Sequence, residues 1–201
     1  ELYNIISLFS LIYFRNLLYN IVKYVSKSGV SMNINTTYTK IITGEDLMET
    51  AQHGSTLYPF QFYYEDLSVF DFNCIEWHWH TELEFIYIES GTVTLWIGED
   101  QFHLTEGNGI FINTKVLHRL YSPSKALIPN FVFMPSFIAP CDSLIYQKYI
   151  LPIISSSLPF LVFHKKVCWQ AKVLSIMRQI ISAQDSVLSK ELLTSSLLQN
   201  L

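Results

Sequence analysis

The sequence predicts a mainly β domain, an antiparallel sandwich or barrel, followed by two to three α-helices. Three observations carry this expectation. Between residues 57 and 134, strand-sized apolar runs alternate with short turn signals. After residue 140 the apolar residues recur at helical spacing instead. Hydrophobic residues make up 50% and aromatics 15% of the 201 residues, which argues against disorder and supplies one sizeable core.

The strand-sized runs are, in order, FQFYYEDL, the 76–91 stretch EWHWHTELEFIYIESG, TVTLWIG, QFHLTEG, GIFINT, HRLYS and NFVFM. Their separators, SG, GED, EGNG, NTKV and SPSK, are rich in Gly, Asn, Ser, Pro or charge, which breaks strands and makes tight turns. Regularly spaced short strands of this kind suggest a sandwich or barrel. In CDSLIYQKYILPII, Asp142 and Ser143 are good N-caps and Pro152 is expected to disrupt the helix. KKVCWQAKVLSIMRQIISA places Val167, Ala171, Leu174 and Ile181 on one helical face, which Trp169, Val173, Ile176 and Ile180 widen. DSVLSKELLTSSLLQNL puts Leu188, Leu192, Leu193, Leu197 and Leu201 at helical spacing. The expected organisation is therefore an apolar segment at 1–32, a β-barrel at 50–138 and a helical region at 140–201.

The first segment is very apolar, yet its longest uncharged run, Leu2 to Phe14, is too short to span a bilayer. It reads as a membrane-surface helix, a helix packed on the domain, or translated sequence upstream of a natural start at Met32; the last is favoured. The last helix has no closing cap, so a truncated C-terminus is expected. A formal charge of −4 without a basic cluster makes this chain a poor ligand for nucleic acid by itself. Cys74, Cys141 and Cys168 are odd in number and far apart, as expected of reduced thiols in a cytoplasmic protein.

On a strand, alternate side chains share a face. His78, His80, Glu82, Glu84, Ile86 and Ile88 then point one way, and Trp79, Thr81, Leu83, Phe85 and Tyr87 the other. One face carries imidazoles and carboxylates at one end and aliphatics beyond, as a pocket with a polar mouth would. His118 lies at a turn-to-strand junction further on. His103 reads as a surface residue, and His53 and His164 stand isolated.

The spacing His78-x-His80-x-x-x-Glu84, with Gly91 after six more residues, resembles the first cupin motif; Gly107 followed by His118 resembles the second. The resemblance implies a cupin-like double-stranded β-barrel in which His78, His80, Glu84 and His118 are the usual ligands of a divalent metal. Imidazole and carboxylate together suit Mn, Fe, Zn, Ni or Cu. Four positions depart from the motifs. Phe72 and Lys115 stand where glycine is expected, Asn113 where proline is expected, and Ser122 where asparagine is expected. Over roughly residues 50–200 the chain further resembles the effector-binding and dimerisation domain of AraC-type transcriptional regulators. That resemblance implies a small-molecule effector, a sugar or other metabolite, bound in the barrel. It also implies a homodimer through the C-terminal helices, and DNA contact only through a helix-turn-helix domain that lies C-terminal in the family and is absent from these 201 residues. No membrane partner is expected.

Each assignment has a plainer counterpart. The His78, His80, Glu84 and His118 set can hold a metal, bind an organic effector without metal, or be a structural remnant. Arg119 can pair an anionic effector or be a solvated strand residue. Trp96 can stack on a sugar ring or pack in the sheet. Leu174, Ile181, Leu193 and Leu197 can carry dimerisation or be helix core. The leading function is ligand sensing and dimerisation in an AraC-type regulator, not catalysis. A small metal-dependent cupin enzyme of dioxygenase or isomerase type, or a stand-alone metabolite-binding cupin, are the alternatives.

Overall fold

The structure, a computed structural model, describes residues 38–201 apart from residue 187; the apolar segment 1–32 lies outside the described residues. Among the described residues the strands are β1 (Phe60–Asp66), β2 (Cys74–His78), β3 (Leu83–Tyr87), β4 (Thr92–Ile97), β5 (Asp100–Thr105), β6 (Gly109–Ile112), β7 (His118–Tyr121), β8 (Leu127–Phe133) and β9 (Phe160–Phe163). They form one sheet in the order β1-β8-β3-β6-β9 and a second in the order β2-β7-β4-β5. All pairings are antiparallel. The stretch expected as one strand across 76–91 is two. Its first half belongs to the four-stranded sheet and its second half to the five-stranded sheet, with His80 and Glu82 in the corner between them.

Two apolar layers result from the period-two alternation. Ile86, Ile110, Ile112 and Ile128 of one sheet meet Ile75, Val93, Leu95 and Leu120 of the other inside the barrel. Leu83, Phe85, Phe111, Phe131, Phe133 and Phe163 point out of the five-stranded sheet against Leu174, Met177, Ile180 and Leu198. The five-stranded sheet is therefore covered on both faces, which is why all four residues of β6 are buried.

The helical region carries a strand that its sequence conceals. β9 pairs with β6, Ile110 opposite Val162, so the barrel extends past residue 138. A four-residue apolar run next to a proline cannot be told from a helix fragment by periodicity. Helix α1 (Leu151–Ile154) follows a π-helical stretch, Tyr146–Ile150, and α2 (Cys168–Ala183) and α3 (Lys190–Leu198) complete the chain. The Ser143 hydroxyl accepts a hydrogen bond from the Tyr146 N–H, as an N-cap does (3.1 Å). Pro152 does not end the helix. It sits in the first turn of α1, where a missing N–H is tolerated.

Leu174 and Ile181 correct the dimerisation expectation: both are buried, at 0% and 7% exposure. Helical spacing establishes that a stripe is apolar and leaves open what covers it; here the chain itself does, with Leu174 packed on the sheet's phenylalanines. Leu193 and Leu197 are half-buried, while Leu188 and Leu192 are 96% and 73% exposed.

The motif departures keep the motif's backbone. Phe72 and Lys115, both in glycine positions, adopt left-handed φ of 58° and 61°. That conformation is strained for residues with a Cβ. Phe72 is 90% exposed and has little packing to lose. Phe72→Gly is expected to stabilise the fold by about 1 kcal/mol, after allowing for the extra freedom glycine gives the unfolded chain. A raised urea midpoint at unchanged slope would confirm it; an unchanged or lowered midpoint would not. Gly91 needs to be glycine: its φ is +88°, and a Cβ would stand 2.7 Å from the Lys125 carbonyl. Asn113, in a proline position, donates from Nδ2 to the carbonyls of Ile153 (2.9 Å) and Leu158 (3.0 Å). It thereby ties α1 and the approach to β9 to the barrel. The Ser122 hydroxyl donates to the Thr92 carbonyl (2.8 Å).

Candidate functional site

His78 and His118 are cross-strand partners on β2 and β7, with ring centroids 4.1 Å apart. The β2–β7 register shifts between Ile75 and His78, a bulge of the kind that re-aims a side chain near a site. His80 arrives from the corner after β2, and Glu84 from the inward face of β3. All four are buried. Ring nitrogens of His78, His80 and His118 lie within 4.8 Å of one another. One oxygen of Glu84, Oε2, stands 3.3 Å from His80 Nε2 and 3.1 Å from His118 Nε2.

The tautomers follow from the backbone. The Nδ1–H of His78 donates to the Glu76 carbonyl and that of His118 to the Val116 carbonyl, both at 2.8 Å. In the neutral rings this leaves each Nε2 as a bare lone pair. His118 Nε2 is buried and makes no aligned hydrogen bond, although the Glu84 carboxylate lies within 3.1 Å of it. Two acceptors facing each other in a dry site require a cation between them, a proton or a metal ion. The donor set fits a divalent ion. Around a tetrahedral centre with bonds of about 2.1 Å, ligand atoms stand about 3.4 Å apart, close to the two Glu84 distances. Fixing Nδ1–H on a carbonyl is also how proteins orient metal-bound imidazoles.

Electrostatics pulls these groups apart. Burial, then the neighbouring His118, holds His78 well below the usual imidazole range. Burial would lower His80 too, but its hydrogen bond to Glu84 and that residue's charge outweigh this and raise it. Burial alone would push Glu84 up. The His118 and His80 contacts overcome it and keep the carboxyl well below its usual range.

Around these groups stand residues that carry no sequence signal. His53 Nε2 lies 3.2 Å from Glu49, its Nδ1 2.9 Å from the Tyr63 hydroxyl, and its ring packs edge-on to His80. Glu65 accepts hydrogen bonds from Tyr38 (2.9 Å) and Asn130 (2.8 Å). Burial pushes the Glu65 carboxyl up to about 7, against those two donors. These residues line the same cavity as His78, His80 and Glu84. They come from a loop, β1 and β8, joined only by the fold, so His53 looked isolated in the sequence.

The cavity measures about 30 Å³. That is room for an ion or a water, since one water needs roughly 10–15 Å³ on this measure, and is too little for a sugar. Arg119 and Trp96 are not brought to the cluster. They are cross-strand partners on the outer face of the four-stranded sheet, the guanidinium 5.1 Å from the ring centre. There Arg119 also pairs with Glu76 (3.1 Å). Their strand neighbours His118, Leu120, Leu95 and Ile97 point inward; alternation separates the two sets. His103 lies near the Thr94 hydroxyl (3.1 Å).

A family model described as the AraC-like ligand binding domain matches residues 61–201. An uncharacterized HTH-type transcriptional regulator of Bacillus subtilis strain 168, YdeC, is 24% identical over 143 residues. That match covers 69% of this chain and 48% of the relative, so the chain spans about half the length of the curated relative it matches. A cupin-2 domain protein from Shewanella frigidimarina NCIMB 400 is similar in structure at 20% identity and a TM-score of 0.33, over 40% of this chain and 81% of that one. Unsaturated fatty acid-bound ToxT from Vibrio cholerae strain SCE256 shows 13% identity and a TM-score of 0.46, over 70% of this chain and 52% of that one. With the family match spanning the barrel and the helices that follow it, the chain belongs to the AraC-like ligand-binding domain family.

Proposed function

We propose that this chain is the sensory and self-associating part of a cytoplasmic AraC-type transcriptional regulator, acting through a DNA-binding domain outside these 201 residues. The observation that carries the reading is the family match across barrel and helices together. Ligand occupancy would bias two arrangements of the domain and its neighbours, which requires different affinities for the two. Among the described residues no helix is long and apolar enough to cross a membrane.

In this reading the lumen takes a divalent cation on His78, His80, His118 and Glu84. The ion would supply positive charge where the lone pairs and the carboxylate converge. The chain's own part is to hold two imidazole tautomers on backbone carbonyls and to exclude water with the aliphatic lumen. An enzyme of dioxygenase or isomerase type would need room for a substrate beside the ion, and about 30 Å³ does not offer it.

Self-association is assigned to the exposed apolar residues of the helical side, Leu188 and Leu192 foremost. Leu188→Glu with Leu192→Glu is expected to leave a monomer. Sedimentation at about 10 µM checks this, because roughly 7 kcal/mol of association already shows there; a wild-type chain that is monomeric under those conditions would refute the assignment. The regulatory reading is tested by fusing the chain to a DNA-binding module active only as a dimer. Reporter output should depend on Leu188 and Leu192 and respond to added metal or metabolite extracts. Output indifferent to both would remove the sensory role.

A further inference from the structure

The largest cavity among those described lies outside the barrel. A chamber of about 660 Å³ opens between the outward face of the five-stranded sheet and the C-terminal helices. Its floor includes Phe85, Phe111 and Phe163, which are almost fully buried, with Leu161 of β9 beside them, and its walls include Ile153 and Val173. Its volume falls in the range of roughly 300–1,000 Å³ that takes a small-molecule ligand, where the lumen's does not. None of its lining residues is Asp, Glu, Lys or Arg, so an ion buried inside would be uncompensated. The mouth is marked by Ile145, Tyr149 and Trp169, which are more than half exposed. Lys148 does not itself line the chamber, but its ammonium stands over the ring of the lining residue Tyr149, 5.2 Å from its centre. One wall includes Tyr149 and Ile150 of the π-helical stretch, a rare conformation that recurs at functional sites.

We propose that this chamber binds an amphipathic carboxylate: its aliphatic chain lies over Phe85, Phe111 and Phe163, and its carboxylate sits at the mouth beside Lys148. An apolar interior with a cation beside a rim residue matches that ligand and disfavours a sugar, whose many hydroxyls would find only Gln199, the Tyr149 hydroxyl and the Trp169 indole N–H among polar side chains. The walls are the helices that follow the barrel, so occupancy would set their position. Calling the ligand an effector rests on the regulatory reading above; binding itself does not.

The test is calorimetric titration of the full 201-residue chain with decanoate below its micelle concentration, with decanol as the uncharged partner. Saturable one-to-one binding is expected. Leu161→Trp on the sheet and Val173→Trp on α2, which add bulk to two different elements lining the chamber, should weaken it by at least about tenfold. Lys148→Ala should weaken decanoate by about threefold, the scale of an exposed ion pair, with less effect on decanol. Photolabelling of the unmodified chain with a diazirine-bearing decanoate needs no variant; labels should fall within residues 145–153 and 168–173. Labels elsewhere, no saturation, or binding only to phospholipid vesicles would overturn the proposal. So would affinity that falls as protein concentration rises, because a second copy would then be the occupant. The readout is binding, so it fails or succeeds separately from any effect on transcription.

Discussion

Replacing His78 and His80 together by alanine is expected to abolish stoichiometric binding of Zn²⁺ or Co²⁺. In the intact protein, metal at 100 times its Kd should stabilise the fold by about 2.7 kcal/mol, and chelator should remove that gain. The double variant should show no shift with either. Outer-shell partners of a metal site alone are worth roughly 10–100-fold in affinity, so losing two ligands must exceed that. The variant also loses two buried imidazoles, one of which contacts Glu84 at 3.3 Å. Leaving that buried carboxylate short of partners costs about 3–5 kcal/mol. The single variant His78→Ala is therefore the cleaner probe: both Glu84 contacts remain, the fold should survive, and affinity should still drop by more than about 100-fold. Metal binding unchanged in folded His78→Ala, read by calorimetry beside circular dichroism, would take the lumen out of consideration as a metal centre.

Glu65→Gln should reverse part of the protein's pH dependence. Burial raises the Glu65 carboxyl from 4.5 to about 7, with Tyr38 and Asn130 as its hydrogen-bond donors. The folded state thus holds this proton more tightly than the unfolded chain. This group's favourable contribution is fully present below pH 4.5 and is lost as pH rises through 7. The difference corresponds to about 3 kcal/mol by pH 9. Glutamine mimics the protonated acid at every pH, so its stability relative to wild type should rise by about that amount between pH 4 and 9. His78 works in the other direction: held neutral in the folded state, it costs stability as pH falls below 6.5. Comparing variant with wild type cancels that term. A stability difference that stays flat from pH 4 to 9 would show that Glu65 titrates alike in the folded and the unfolded protein, and would overturn the raised value.

Much of the β-region was legible because alternation and turn chemistry are local. The runs around β1, β5, β6, β7 and β8 lie where period-two spacing and the Gly, Asn and Pro separators put them. What failed was local information of the wrong length. The four residues of β9 are too few to announce a strand, and the 76–91 run gives no sign that it changes sheets at His80. Pro152 reads as a breaker only if the helix has already begun; here its last α-helical segment begins beside it.

For the site, the sequence by itself determined sidedness. His78, His80 and Glu84 share one face, Trp96 and Arg119 each alternate with core residues, and Gly91 marks a turn that no Cβ can enter. The tertiary structure decided company. It set His118 opposite His78, put the Glu84 carboxylate between two imidazoles, and brought in Glu49, His53, Glu65 and Asn130 from distant segments. It also turned Leu174 against the sheet, buried Ile181 within the chain and left Leu188 and Leu192 uncovered. The reason is physical: backbone geometry repeats every two or 3.6 residues and so fixes which way a side chain points. What it meets there depends on pairings between strands tens of residues apart, and no local period encodes those.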